Sequence, residues 1–406
     1  MSLQADLSVA APAIPLARWA DRQLRAMHAT YGLPRIDGSA LMGERGDHGG
    51  YVINGTTSAG IGGSRLMRTK DGGWFALTLI REIDRELLPA LFGDAAVNCD
   101  DWTAIAAAVL QHDCADLVRV GRVLGLPVAG IDEIPASPAI QFMQRGPNRY
   151  GPNKDGPIRQ KPLVIDLSAI WAGPLAGHLL WQAGMEVIKV ESLTRPDLIR
   201  RDDPATFERI NQGKASVLID FADEGQKAAL VSLIRGADIV IESSRPRALR
   251  QLGIDADALV ETTPGLVWLS ITGHGASGEP ANWVGIGNDC GVAAGLTRAM
   301  ADAGGGIGYV GDAIADPLTG IVAAREGLAA YQRGTAIRIG LSMSGITALA
   351  LHEEQKHDRA MIDSELRAWG LASGCRFPPV SRREIQGTLQ PIGADTERYL
   401  GAFERC

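Results

Sequence analysis

Between residues 163 and 272, short β-branched runs alternate with helical stretches. In order these are "LVIDLS" (163–168), an apolar helical run from Pro174 to Ala183, "EVIKVE" (186–191), "SVLIDF" (216–221), a helix from Asp223 to Arg235, "DIVIES" (238–243) and "LVWLSIT" (266–272). Strands this apolar, separated by helices, predict a parallel sheet covered on both faces. The fold class is therefore α/β, with a doubly wound, Rossmann-like large domain. Such sheets bind ligands beyond the carboxyl ends of their strands.

The preceding part follows another pattern. An amphipathic helix is expected near residues 16 to 30. The stretch "GGYVINGTTSAGIGGSRLMRTKDGGWFALTL" then places strand-like "SRLMRT" and "WFALTL" on either side of the turn "KDGG", as in a hairpin. Helical patterns follow around "RELLPALFG" and "DDWTAIAAAVLQHDCADLVRVGRVLG". A small α+β domain describes this region. Gly, Pro, Asn and charge without apolar periodicity mark "RGPNRYGPNKDGPIRQK" as a linker. The expected organisation is a small domain with an N-terminal helical segment over 1–144, a linker over 145–161, the large domain over 162–350, and a C-terminal helix and arm over 351–406.

Composition narrows the classes of function. Apolar residues make up 46% and charged residues 21% of the 406, the balance of a soluble globular protein, and no apolar run is long enough to span a membrane. The first residues carry no basic region ahead of an apolar core, so a cytoplasmic protein is expected. A net charge of −7 gives no footprint for nucleic acid. The five cysteines include no CxxC pair, which predicts free thiols in place of a disulfide framework. His352 and His357 in "HEEQKH" are five apart, where a zincin pair needs four, so no metal site is expected. There is no P-loop, no GxGxxG between a strand and a helix, and no GxSxG elbow.

The stretch "DAIADPLTGIVAA" (312–324) holds two carboxylates at the start of a long helical pattern. Asp316 before Pro317 has the form of an N-cap followed by proline at the first helical position. A helix N-terminus favours an anion by roughly 0.3–1 kcal/mol, so this carboxylate is expected to be ionised.

Taken together, "PLVIDLSAIWAGPLAGHLLWQAGMEVIKVES", "INQGKASVLIDF", "ADIVIESSRPRALRQLG", "WLSITGHGASGEPANW" and "IADPLTGIVAAREGLAAYQRGTAIRIGLS" resemble, in register from 162 to about 345, the family III CoA-transferases. That superfamily includes formyl-CoA transferase, carnitine CoA-transferase and acyl-CoA racemase. The stretches "SRLMRTKDGGWFALTLIREIDRELLPALFG" and "VGRVLGLPVAG" are similar to the family's small domain, which normally follows the large one and here precedes it. The closing "FPPVSRREIQGTLQPIGADTERYLGAF" resembles its C-terminal arm.

The resemblance implies transfer of CoA from an acyl-CoA to a carboxylic acid, with acyl-CoA as substrate, no metal, and a homodimeric assembly. The family's catalytic aspartate precedes a glycine by four positions, which Asp316 and Gly320 satisfy and Asp312 does not. The resemblance puts a glycine-rich lid at Gly60, Gly62 and Gly63, and the stretch "GHG" (273–275) offers unobstructed backbone for oxyanion support at Gly273 and Gly275. The resemblance puts CoA contacts at Ile170, Trp171, Ser192, Ser243, Ser244, Gln251 and Thr272, beside which Arg195, Arg245 and Arg250 stand as replacement cations. Arginines near the strand ends suit phosphate because the guanidinium fork donates two hydrogen bonds at once; a solvated charged surface is the other reading. Trp171 is either a pocket wall or a core residue.

Several positions depart from the family pattern. Its "ENF" element is Glu242-Ser243-Ser244, without the amide and the aromatic. Gln251 and Thr272 stand where basic residues occur. The racemase "GHD" element is Gly287-Asn288-Asp289, and an amide cannot accept an α-proton. Only His274 offers a substitute base. Two other functions therefore stand beside CoA transfer: a non-catalytic acyl-CoA-binding or scaffold protein, and an acyl-CoA racemase.

Overall fold

The computed structural model describes residues 11–60, 63–149 and 161–401. Its centre is a seven-stranded sheet in the order β4-β10-β9-β8-β5-β6-β7. The strands are β4 (Ile140–Arg145), β5 (Leu163–Asp166), β6 (Glu186–Ser192), β7 (Ala215–Ile219), β8 (Ile239–Glu242), β9 (Val267–Thr272) and β10 (Ile337–Ser342). All neighbours run parallel except β4, which pairs antiparallel with β10. Strands β5, β8, β9 and β10 are buried along their whole length. That is why their sequences are continuous apolar runs without alternation.

From β5 the chain winds outward to β6 and β7, then returns to the other side of β5 for β8, β9 and β10. The order reverses between β5 and β8. A doubly wound sheet opens a crevice at such a reversal, beyond the strands' carboxyl ends.

One face of the sheet carries the helices Ala172–Gln182, Ala315–Gln332 and Met343–Leu371. A Cβ at Gly320 would lie 2.8 Å from the Ala172 carbonyl oxygen and 3.0 Å from Leu175 Cδ2. Only glycine lets the first two helices approach this closely.

The hairpin expected around "KDGG" is present as β1 (Gly63–Arg68) and β2 (Trp74–Leu79), joined antiparallel by β3 (Val128–Gly130). Its core of Phe75, Leu77, Leu91, Ile105, Val109 and Leu117 forms with the four short helices between β2 and β3. The α/β class with a smaller α+β unit is thus the observed architecture.

Two placements differ from the expected organisation. The helices Ala17–Tyr31 and Gly38–His48, assigned to the small domain over 1–144, bury Trp19, Leu24, Met27 and Leu41 in the large unit's main core. Ion pairs from Arg18 and Arg22 to the buried Glu354 reinforce that docking. The segment ahead of the 145–161 linker forms β4, and Gly146 and Arg149 continue along the sheet edge by donating to Ala336 and Gly334. Residues 150–160 of the linker lie outside the described residues. The C-terminal arm crosses from Ile53, which bonds Cys375, to β7, where Asp395 accepts from Ser216.

Candidate active site

Asp316 is 5% exposed and sits in the first turn of the Ala315–Gln332 helix, at the crevice beside β5. It is not the N-cap expected from the sequence. The helix begins two residues earlier than that reading, at Ala315, and its cap Ile314 makes no side-chain bond. The entry is tightened by Gly311 (φ 72°) and by Ala313, a non-glycine residue at φ 45°. Asn288 Oδ1 accepts from the Ala313 N–H at 3.0 Å and holds that turn.

Freed from capping, the Asp316 carboxylate turns to the neighbouring helix, where the Ala172 N–H donates to Oδ1 at 3.3 Å. The carboxylate fits only because residue 287 has no side chain. A Cβ there would fall 2.0 Å from Asp316 Oδ2 and 2.5 Å from the Ala313 carbonyl oxygen.

Burial raises the Asp316 pKa to about 7, against the lowering effects of Arg45 and the Ala172 N–H, with Asp312 and Asp289 adding to the rise. The expectation of a fully ionised carboxylate is corrected here. Loss of water outweighs the helix end, whose effect is limited to roughly 0.3–1 kcal/mol.

Asp316 is shared by two cavities. One, of about 220 Å3, runs past Ala169, Ile170, Ser243, Ser244, Arg245, Thr272 and Gly273, with Arg81 at its wall. It adjoins a third cavity through Ala169 and Ser244, which reaches Ser192, Arg195, Phe221, Leu249 and Leu252. Burial, and then the neighbouring Arg81, Arg247 and Arg195, lower the Arg245 pKa, which marks a concentration of positive charge. The described residues give Arg195 and Arg245 no carboxylate partner. The other cavity at Asp316, of about 160 Å3, lies toward Gly60, Leu79, Ile80, Trp171 and Ile199.

The structure sorts the sequence-derived site residues. Ile170 lines both Asp316 cavities and Trp171 only the smaller of them, Ser243, Ser244, Arg245 and Thr272 line the larger, and Ser192 and Arg195 line the adjoining third cavity. Gly60 and Gly273 are at cavity walls. Gly63 begins β1, and Gly275 is packed so that a Cβ would meet Ser137 Oγ at 2.2 Å. Gly62 lies outside the described residues. Arg250 and Gln251 are not brought to any of these cavities, because the exposed face of the Pro246–Gln251 helix carries them away and Arg250 pairs with Asp257.

Three functional features were not read from the sequence. Arg45, from the Gly38–His48 helix, enters the smaller cavity with its guanidinium 5.3 Å from the Trp171 ring centroid. Asp197 accepts from the Ile170 N–H with both oxygens, at 3.1 Å each, and pairs with buried Lys189 at 3.0 Å. Ile170 is thereby held at φ 70°, costly for a β-branched residue. Asn288, at the racemase base position, also bonds Ser64 Oγ and so ties the small sheet to the turn before Asp316.

His274 is 2% exposed, stands 3.7 Å from Asp289, and is absent from the Asp316 cavity walls. With Cys290 these two bring donor atoms within 4.8 Å of one another. Cys290 donates to the Gly273 carbonyl and burial raises its thiol pKa, while His274 Nε2 is buried without a hydrogen-bond partner among the described residues.

The site thus combines a doubly wound sheet with a buried carboxylate between a cavity walled by Arg81 and Arg245 and a smaller, largely apolar one. A family model described as CoA-transferase family III matches residues 162–365. The chain belongs to that family. A probable fatty acyl-CoA transferase from Mycobacterium tuberculosis is 34% identical over 182 residues, 42% of this chain and 46% of the relative. A succinate–glutarate CoA-transferase from Agrobacterium fabrum is 32% identical over 180 residues, 40% of this chain and 45% of the relative. The chain spans less than half the length of these two curated relatives. A crystal structure of a Mycobacterium tuberculosis hypothetical protein aligns with a TM-score of 0.44 and 29% identity, over 50% of this chain and 60% of that one. Among the described residues no helix is long and apolar enough to cross a membrane.

Proposed function

We propose that the protein transfers CoA from an acyl-CoA to a carboxylic acid, with Asp316 as covalent nucleophile. The observation that carries this reading is the Asp316 carboxylate at the junction of two cavities, one walled by Arg245, which has no carboxylate partner among the described residues, and one largely apolar. The CoA arm enters past Ser243, Ser244, Arg245 and Thr272, and its phosphates meet Arg195 and Arg245. Phe221, in the third cavity, offers the aromatic face that the altered "ENF" element lacks.

The ionised Asp316 oxygen attacks the thioester carbonyl. The C–S bond breaks, CoA leaves as thiolate, and an aspartyl–acyl anhydride forms. The thiolate then attacks the aspartyl carbonyl, releasing the first acid and leaving an aspartyl-CoA thioester. An acceptor carboxylate repeats the two steps in reverse, giving the new acyl-CoA and free Asp316. In this reading the backbone at Gly60 and Gly273, each in a wall of an Asp316 cavity, supplies donors to the developing oxyanion. A pKa of about 7 leaves the nucleophile partly ionised at neutral pH and makes it basic enough to attack.

The assembly proposed with this reading is a cytoplasmic homodimer, which light scattering tests by mass. Transfer itself is tested by following new thioester formation from an acyl-CoA and a labelled acid. Asp316→Ala is expected to abolish transfer while retaining CoA binding. Full transfer by Asp316→Ala would exclude the covalent role. Binding without transfer by the unaltered protein would favour a non-catalytic acyl-CoA-binding function.

A further inference from the structure

Arg45 is the one cation in the wall of the smaller Asp316 cavity among the described residues, and it is already occupied. Its Nη1 donates to both oxygens of Asp312 at 3.0 Å, and its Nε donates to Asp203 Oδ2 at 2.9 Å. The three side chains are 14%, 1% and 12% exposed, so water contributes little to their balance. One guanidinium therefore faces two carboxylates, and Asp202 adds a third acid to the same wall. The rest of the lining is largely apolar, including Leu79, Ile80, Ile170, Trp171 and Ile199.

Resting on the transferase reading, we infer that this cavity seats an uncharged, short acyl group and rejects acyl groups that end in a second carboxylate. A terminal carboxylate would enter a buried pocket whose only cation already has two anionic partners. It would lose its hydration without gaining a counter-charge. A terminal methyl group would instead bury apolar surface against Ile199, Leu79 and Trp171. At about 160 Å3 the cavity is smaller than the roughly 300–1,000 Å3 of drug-sized sites, which suits a chain of a few carbons. Asp203 sets this selectivity by holding Arg45 Nε.

Butyryl-CoA and succinyl-CoA have the same chain length and differ at the tip, methyl against carboxylate. Their binding to the full-length protein, measured by calorimetry, is expected to favour butyryl-CoA by roughly tenfold or more. In Asp203→Asn the ratio is expected to narrow by about tenfold, because Arg45 loses one anionic partner. Asparagine keeps the cap that Asp203 Oδ1 provides to the Thr206 N–H, so the local fold is retained. Equal or tighter binding of succinyl-CoA by the unaltered protein overturns the inference, and so does an unchanged ratio in Asp203→Asn. Transfer assayed on the same samples separates the two claims: discriminated binding without transfer supports the inference and overturns the transferase reading.

Discussion

Gly287 and Asp316 share one space. A Cβ at 287 would stand 2.0 Å from Asp316 Oδ2, so the carboxylate occupies the volume that a side chain would take. Gly287→Ala must therefore displace the carboxylate from the Ala172 N–H and rotate it off the junction of the cavities. Activity is expected to fall by about a hundredfold, the cost of misplacing a reacting group by an ångström. Unaltered kinetics in Gly287→Ala, with Asp316 still trapped by substrate, would show that the carboxylate is not held by this contact.

The raised pKa of Asp316 has two readouts with fixed sign. Transfer at low substrate should rise tenfold per pH unit below about 7 and level off above it, as the carboxylate ionises. In the folded state the group binds its proton more tightly than at its ordinary 3.8. Ionisation therefore costs stability as pH rises from about 4 to about 7, up to about 4 kcal/mol once complete. Asp316→Asn removes the cost, so its Tm advantage should grow over that window and stay constant above it. A pH-independent difference in Tm would contradict the assignment.

Breaking the pair beneath Ile170 should damage the site through its support. Lys189 is 2% exposed and bonds Asp197, which in turn holds Ile170 at φ 70°. Lys189→Met leaves the Asp197 charge buried and uncompensated, at an expected cost of about 3–5 kcal/mol in urea unfolding. A loss below 1 kcal/mol would mean that Asp197 finds another partner.

The arginines near the strand ends should separate by position. Arg245 lines the larger cavity, whereas Arg250 is on the exposed face and paired with Asp257. Arg245→Ala is expected to weaken CoA binding by roughly tenfold to a hundredfold, the value of a hydrogen bond to a charged group. Arg250→Ala should change it less than twofold. Equal losses in titration calorimetry would place CoA on the other face of the Pro246–Gln251 helix.

Much of this architecture was legible because continuous apolar runs have one simple solution, a sheet buried on both faces. β5, β6, β7, β8 and β9 form where "LVIDLS", "EVIKVE", "SVLIDF", "DIVIES" and "LVWLSIT" predicted them. The edge strand β4 was not legible, since "IQFMQR" is half exposed and its pairing comes from β10, almost 200 residues away. The docking of the Ala17–Tyr31 and Gly38–His48 helices on the large unit was hidden for the same reason: an amphipathic helix shows that it has an apolar face, not which core receives it. Asp316 could be chosen from its four-residue spacing to Gly320. The geometry gives that spacing a cause, because Ala172 donates to Asp316 and its carbonyl packs against Gly320. Arg45 and Asp197 carry no motif, and only the tertiary fold brings them to the site.

The most direct test of the account is peptide mass spectrometry after incubation with butyryl-CoA and hydroxylamine, which captures an activated carboxylate as its hydroxamate. The account predicts a hydroxamate at Asp316, dependent on the thioester and absent from Asp316→Ala. A hydroxamate at another carboxylate such as Asp312, or transfer without any modified carboxylate, would contradict it.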